Sequence, residues 1–350
     1  MAMKSQSRFK LTVYLLGLAG MAFFIALLVR EGITDVFAVV AAAGWGLVAA
    51  TTFHVIPEIL DTAEWRVLFP AGRRPRLRDL AWMRWIGESI NNLVPAAQVG
   101  GDLVRTRLAV INGTRMPVAA ASVIVDMTVN VFIQIIFTLT GVALLIGTTR
   151  QMNLAKPAIA GALVSILAIS GFYAVQRFGG IRWIAGIISR LTGGDWQPLV
   201  QNVQELDREI RSVYSRRRDI MTCAAWAMTS WVSSAGEIWI TLYVLGMQTS
   251  FVHALIFESI SQGFRSAVFF IPGGLGVQEG GYLFVAGMLG IPGHAALAMA
   301  LIRRIRELAF GVPGILVWQF LEGKRLHHAM NGSALPVAAR AASLSKTARS

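Results

Sequence analysis

Long apolar runs, each close to the length of a bilayer crossing, constrain this chain more than any other feature. Six qualify: residues 11–29, 37–56, 118–146, 158–175, 221–246 and 295–321. About 20 apolar residues in helical form cross the hydrocarbon of a membrane. Helix is the form such runs take, because lipid offers no partner to free backbone N–H and C=O groups. Only 15% of the residues are charged, against roughly 25% in soluble domains. The expected fold class is an all-α integral membrane protein.

The few charges are mostly basic, giving a net charge of +13. No soluble basic domain is present to hold nucleic acid, so anionic lipid and topology control explain the excess better. The basic residues fall in alternate connections. Lys4, Arg8 and Lys10 precede the first run; Arg66, Arg73, Arg74, Arg76, Arg78 and Arg84 follow the second. Arg177 through Arg218 separate the fourth from the fifth, and Lys324 and Arg325 follow the sixth. The other connections carry only Arg30, Arg150 and Lys156. The bias predicts a multi-pass protein of a bacterial cytoplasmic membrane with both termini inside. A lone cysteine, Cys223, excludes an intrachain disulfide and any multi-cysteine metal site.

Two further apolar stretches are broken by Pro and Gly. Residues 86–111 contain Glu88, Asn91, Asn92, Pro95, Gln98 and Asp102; residues 251–289 contain Glu258, Gln262, Arg265, Pro272-Gly273-Gly274-Leu275-Gly276 and Glu279. A single crossing by either would put basic connections on opposite sides. Re-entrant hairpins preserve the charge rule, and full two-span hairpins are the alternative. Between residues 177 and 220 lies a polar insert in which Leu199, Val203, Leu206, Ile210 and Val213 share one helical face. It reads as an amphipathic helix on the inner membrane surface. Residues 326–350 read as a disordered cytoplasmic tail.

The order of elements repeats, with repeat one at 11–149 and repeat two at 157–322 inside a single transmembrane domain, 1–325. A constant offset of 177 residues (272 − 95 and 279 − 102) relates Pro95 to Pro272 and Asp102 to Glu279. The same offset pairs Gly113 with Gly290 and Asp126 with Arg303. Glu-Ser-Ile opens both hairpins, at Glu88 and Glu258. Three crossings separate equivalent elements, so one repeat is inverted relative to the other, an arrangement found in many transporters.

Ionisable groups at membrane depth are costly and face cavities or one another. Glu58, Glu88, Asp126, Glu237, Glu258, Arg265, Glu279, Arg303, Arg304, Arg306 and Glu307 meet that description. Asp126 and Arg303, at equivalent depths, are expected to approach each other or share a cavity. Arg265, Arg303 and Arg304 suit a phosphate-bearing headgroup, although Arg303 and Glu307, one turn apart, also suit a structural pair. Glycines 273 and 274 leave N–H groups that could receive an anion; a tight bend is the simpler role. Asn91, Asn92 and Gln98 could bind headgroup oxygens or satisfy backbone freed by Pro95. Trp82 and Trp85 read as interface anchors, and His54 as a hydrogen-bonded interior residue. No Walker loop or His-Glu-x-x-His motif is present, so no cofactor or metal is expected.

The runs Arg84-Trp85-Ile86-Gly87-Glu88-Ser89-Ile90-Asn91-Asn92, Pro95-Ala96-Ala97-Gln98-Val99-Gly100-Gly101-Asp102 and Pro272-Gly273-Gly274-Leu275-Gly276-Val277-Gln278-Glu279 resemble the lysylphosphatidylglycerol synthase transmembrane-domain family. The first is most similar to its hopanoid-biosynthesis-associated branch. The resemblance implies a flippase-like lipid translocation domain without the aminoacyl-transfer domain of two-domain members. The expected function is movement of a polar-headed lipid, a hopanoid or phospholipid, between leaflets, not catalysis. Membrane lipids are the expected partners, with lipid-synthesis enzymes as further candidates. A membrane enzyme with Asp102 or Glu279 as base, and a non-catalytic scaffold, are the alternatives.

Overall fold

The structure, a computed structural model, describes residues 25–94 except Leu28, 100–149, 197–267 and 276–332. Every regular element among them is helical: α1 (Ile33–Ala42), α2 (Trp45–Phe53), α3 (Val55–Val67), α4 (Leu77–Leu93), α5 (Gly100–Ile111), α6 (Met116–Thr149), α7 (Gln197–Ser215), α8 (Arg217–Val244), α9 (Phe251–Ala267), α10 (Val277–Leu289) and α11 (Gly293–Gly332), with a short 3-10 turn at Ala71–Arg73. The all-α expectation holds. Most of the run at 11–29, all of the run at 158–175, both Pro/Gly breaks (95–99 and 268–275) and the tail lie outside the described residues.

α6 is long and apolar enough to cross a membrane unaided, and α1 with α2–α3 meets the same test as a pair bent by 84°. The run expected as one straight span at 37–56 is therefore angled, and it continues helically to Val67. α8 and α11, 28 and 40 residues long, exceed the needed length but carry charged groups within their apolar sequence. Each expected hairpin is a pair of helices, α4 with α5 and α9 with α10, that pack together. Gly113 and Gly290, related by the repeat, both adopt positive φ, +90° and +70°, where the second arms end. A left-handed residue at a helix end is naturally glycine.

Contacts between elements are reciprocal. α3 packs on α8, α4 packs on α11, and α9 packs on α6. Each hairpin's first arm thus leans on the long helix of the opposite half. The shared Glu-Ser-Ile tripeptide makes both contacts: a Cβ on Gly314 of α11 would strike the Ser89 hydroxyl, and one on Gly141 of α6 would strike Ser259. Such approach requires glycine. Gly141→Ala is expected to cost about 1–3 kcal/mol through overpacking, and Ser259→Gly beside it to restore part of the loss, read as thermal unfolding in detergent.

Two apolar cores result. One gathers Trp65, Leu80, Ile86, Ala119 and Val125; the other gathers Phe257, Tyr282, Val285, Ala295 and Leu297. α6 starts in the first core and reaches the second at Leu145; α11 starts in the second and reaches the first at Ile315 and Trp318. On α11 the ionised segment Arg303–Glu307 falls where the helix changes cores, whereas on α6 Asp126–Asn130 lies among first-core residues.

The insert helix departs from expectation. In α7, Ile210 and Val213 are buried and Leu206 is partly buried within the first core, and the helix packs on α6. Protein, not a membrane surface, covers that part of its apolar face; the side chains of Leu199 and Val203 lie outside the described set. Arg216 donates to the carbonyls of Leu68 (2.6 Å) and Phe69 (3.1 Å), binding the α7–α8 junction to the end of α3.

Candidate functional site

Between the two cores the buried ionisable groups form two networks. In the first, Arg105 of α5 bridges Asp126 of α6 (2.8 Å) and Asp102 one turn back (2.9 Å). Arg84 of α4 joins them, 3.4 Å from both Asp126 and Asp61. The Arg105 guanidinium lies 4.9 Å over the Trp65 ring, a stacking arrangement that favours arginine over lysine. Glu64 accepts from Asn130 at 2.6 Å.

In the second network three arginines on one turn of α11 are each held by carboxylates. Arg303 meets Glu258 at 3.1 Å and donates to the Tyr282 hydroxyl at 2.9 Å. Arg304 meets Glu279 (2.8 Å) and Glu307 (2.6 Å), and Arg306 pairs with Glu237 of α8. Ion pairs buried in this way survive only where further hydrogen bonds satisfy the remaining lone pairs. Gln262 donates to Glu258 at 2.6 Å, and the Gly276 N–H donates to Glu279 at 2.6 Å.

The expected approach of Asp126 to Arg303 is not found. Each takes its ionic partners inside its own half, Asp126 from Arg84 and Arg105, Arg303 from Glu258. The repeat survives as a swap of chemistry. Arg105 and Tyr282 are 177 positions apart, and each engages its own half's mid-helix charge.

A polar cavity of about 220 Å³ lies between the halves. Asp61, Glu88, Asn130 and Gln134 line it from the first half; Ser230, Glu258, Gln262, Arg265 and Arg303 line it from the second. Of the expected site residues, the cavity gathers Glu88, Glu258, Gln262, Arg265 and Arg303. Asn92 stands behind it, accepting from Arg265 at 2.7 Å. Asp102, Asp126, Glu279 and Arg304 do not line it, and Glu307 lines a narrow adjoining void. Asn91 accepts the Gly101 N–H at 2.7 Å, so its side-chain oxygen satisfies the start of α5. Gln98, Gly273 and Gly274 lie outside the described residues.

Arg265 differs from its neighbours. No carboxylate among the described residues lies within ion-pair distance of it, and its described hydrogen bond goes to the neutral Asn92. The Glu88 and Glu307 carboxylates attract it through space without touching it.

The narrow void contains His54, Glu58, Trp85, Glu88 and Phe310. It connects the cavity wall, through shared residues, to an apolar groove of about 450 Å³ lined by Val55, Ile59, Trp82, Trp85 and Phe310. Trp85 was expected at the membrane–water interface. Its indole instead donates to the Phe310 carbonyl at 2.9 Å and ties α4 to α11.

Sequence reasoning left Asp61, Arg84, Arg105, Asn130, Gln134 and Ser230 out of the site. Arg84 was grouped with a basic connection because the second span was ended at residue 56. The Glu58, Asp61, Glu64 spacing of three residues would have signalled one polar helical face continuing beyond it.

A helical membrane protein with a charged cavity between reciprocal halves is the class these features define. The sequence profile of the lysylphosphatidylglycerol synthase TM region matches residues 14–314, and the chain belongs to that family. A UPF0104 membrane protein of Methanothermobacter thermautotrophicus is 24% identical over 240 residues, covering 65% of this chain and 70% of that protein. No solved structure matches the chain.

Proposed function

We propose that this protein moves a lipid with an anionic polar head, a phospholipid or a headgroup-bearing hopanoid, between the leaflets of a bacterial inner membrane. The observation that carries the reading is the Arg265 guanidinium, set in a cavity walled by both halves, hydrogen-bonded to neutral Asn92 and with no described carboxylate at ion-pair distance. A guanidinium at membrane depth without a contact carboxylate favours an anionic partner such as phosphate. The apolar groove beside Trp82 and Trp85 suits the hydrocarbon body, so only the head needs a polar route. Trp85 and Phe310, shared by groove and void, stand where the head would pass. The family's description, a lysylphosphatidylglycerol synthase TM region, agrees with lipid as the handled molecule.

The lipid leaves chemically unchanged on this reading. Asp102 is held by Arg105, and Glu279 by Arg304 and the Gly276 N–H; neither faces the cavity as a free base. Both termini are placed in the cytoplasm on the charge bias alone, and any lipid-synthesis enzymes that supply the cargo would act on that side.

Purified protein in liposomes, with a fluorescent anionic phospholipid in one leaflet and a membrane-impermeant quencher, tests the proposal. Redistribution faster than in protein-free vesicles, with the headgroup unchanged by mass spectrometry, is the expected result. A modified headgroup would favour an enzyme, and neither change with this or a hopanoid reporter would remove the transport reading.

A further inference from the structure

His54 ends α2 and begins α3, and two carboxylates converge on its Nε2. Glu58, one turn along α3, lies 3.8 Å away, and Glu88 of α4 lies 3.7 Å away. The three donor atoms all fall within 4.8 Å of one another. Those separations are long for hydrogen bonds. They approach the spacing of two ligands on one tetrahedral ion, roughly 3.3–3.6 Å for metal–ligand bonds of about 2.0–2.2 Å.

The other ring nitrogen is already committed. Nδ1 lies 3.2 Å from Glu237 Oε2, and Glu237 is itself clamped by Arg306. With Nδ1–H donating to that carboxylate, the Nε2 lone pair is turned toward Glu58 and Glu88. This carboxylate–histidine arrangement is the outer support that metal-bound imidazoles commonly have. Three acceptors then face one another; the Asn92 amide donates to Glu88 at 3.3 Å, and the Arg306 guanidinium that also borders the void is committed to Glu237. The narrow void that His54, Glu58 and Glu88 share has room of about 10 Å³, close to that of one water-sized body.

We propose that His54, Glu58 and Glu88 bind one divalent transition-metal cation of the zinc or manganese class. Imidazole with carboxylate oxygen suits those ions. Two carboxylates balance the double charge, since Glu237 is neutralised by Arg306. Three protein ligands leave at least one coordination position for water or another oxygen. The ion joins α3 to α4 beside the cavity wall. The site does not depend on lipid movement.

The full-length protein in detergent, stripped with a chelator and then titrated calorimetrically with Zn²⁺ and Mn²⁺ separately, tests this. One site per chain is expected. His54→Ala and Glu88→Gln should abolish it, and Glu237→Gln should weaken it about 10–100-fold without removing it. Because His54→Ala could disturb folding, Glu58→Gln is titrated too, after size-exclusion chromatography confirms its fold. Co²⁺ added to the wild type should give the visible absorption of nitrogen–oxygen ligation. Absence of uptake by the folded wild type, equal uptake by wild type and Glu58→Gln, or a Co²⁺ spectrum indistinguishable from the aqueous ion would overturn the proposal.

Discussion

Arg303→Leu is expected to destabilise the folded protein by about 3–5 kcal/mol, the range for removing one member of a buried ion pair. Glu258 is 1% exposed and Arg303 8%. Taking the guanidinium away leaves the carboxylate with Gln262 as its described hydrogen-bonding partner and no counter-charge. The Tyr282 hydroxyl loses its donor as well. Leucine at both 258 and 303 removes the stranded charge, so the double variant should recover much of what Arg303→Leu loses. Thermal unfolding in one detergent, for both single variants and the double, makes the cycle. Additive losses would mean that the two groups are not energetically coupled.

Arg265→Gln is expected to act in the opposite way, leaving stability nearly intact and depressing lipid movement about 10–100-fold. Only Asn92 loses a described hydrogen-bond partner; Glu88 and Glu307 lose a cation that they do not touch and keep others, Arg306 beside Glu88 and Arg304 on Glu307. Substrate binding gives up a charge-assisted contact of about 1.5–3 kcal/mol, and each 1.4 kcal/mol is a factor of ten. The effect should appear with an anionic head and shrink with a zwitterionic one. Arg265→Lys should restore part of the rate, because it keeps the charge and loses the planar fork. Equal rates for wild type and Arg265→Gln in the liposome assay would remove Arg265 from the route.

Much of this was legible in the chain because membrane helices are written in long, coarse signals. Apolar length gave the class, the Pro/Gly breaks separated the hairpin arms, and the 177-residue offset matched the two hairpins through Pro95 and Pro272. Side-chain pairing was less accessible. Asp126 and Arg303 have opposite charge and equivalent depth, yet nearer partners took both, since equivalence in a repeat does not impose contact. Asn91 looked like a ligand because its backbone partner, Gly101, comes from across the hairpin break. His54 read as a hydrogen-bonded interior residue and is one, through Glu237; its three carboxylates arrive from α3, α4 and α8, elements whose convergence no local spacing records.

The two long helices that change cores behave as levers. α6 and α11 are each rooted in one half and gripped at the far end by the other, at the Gly141–Ser259 and Gly314–Ser89 contacts. Tilting one half by itself would shear both grips, so the two contacts couple the halves. On α11 the ionised turn lies between the two cores, and its ion pairs to α8, α9 and α10 resist sliding.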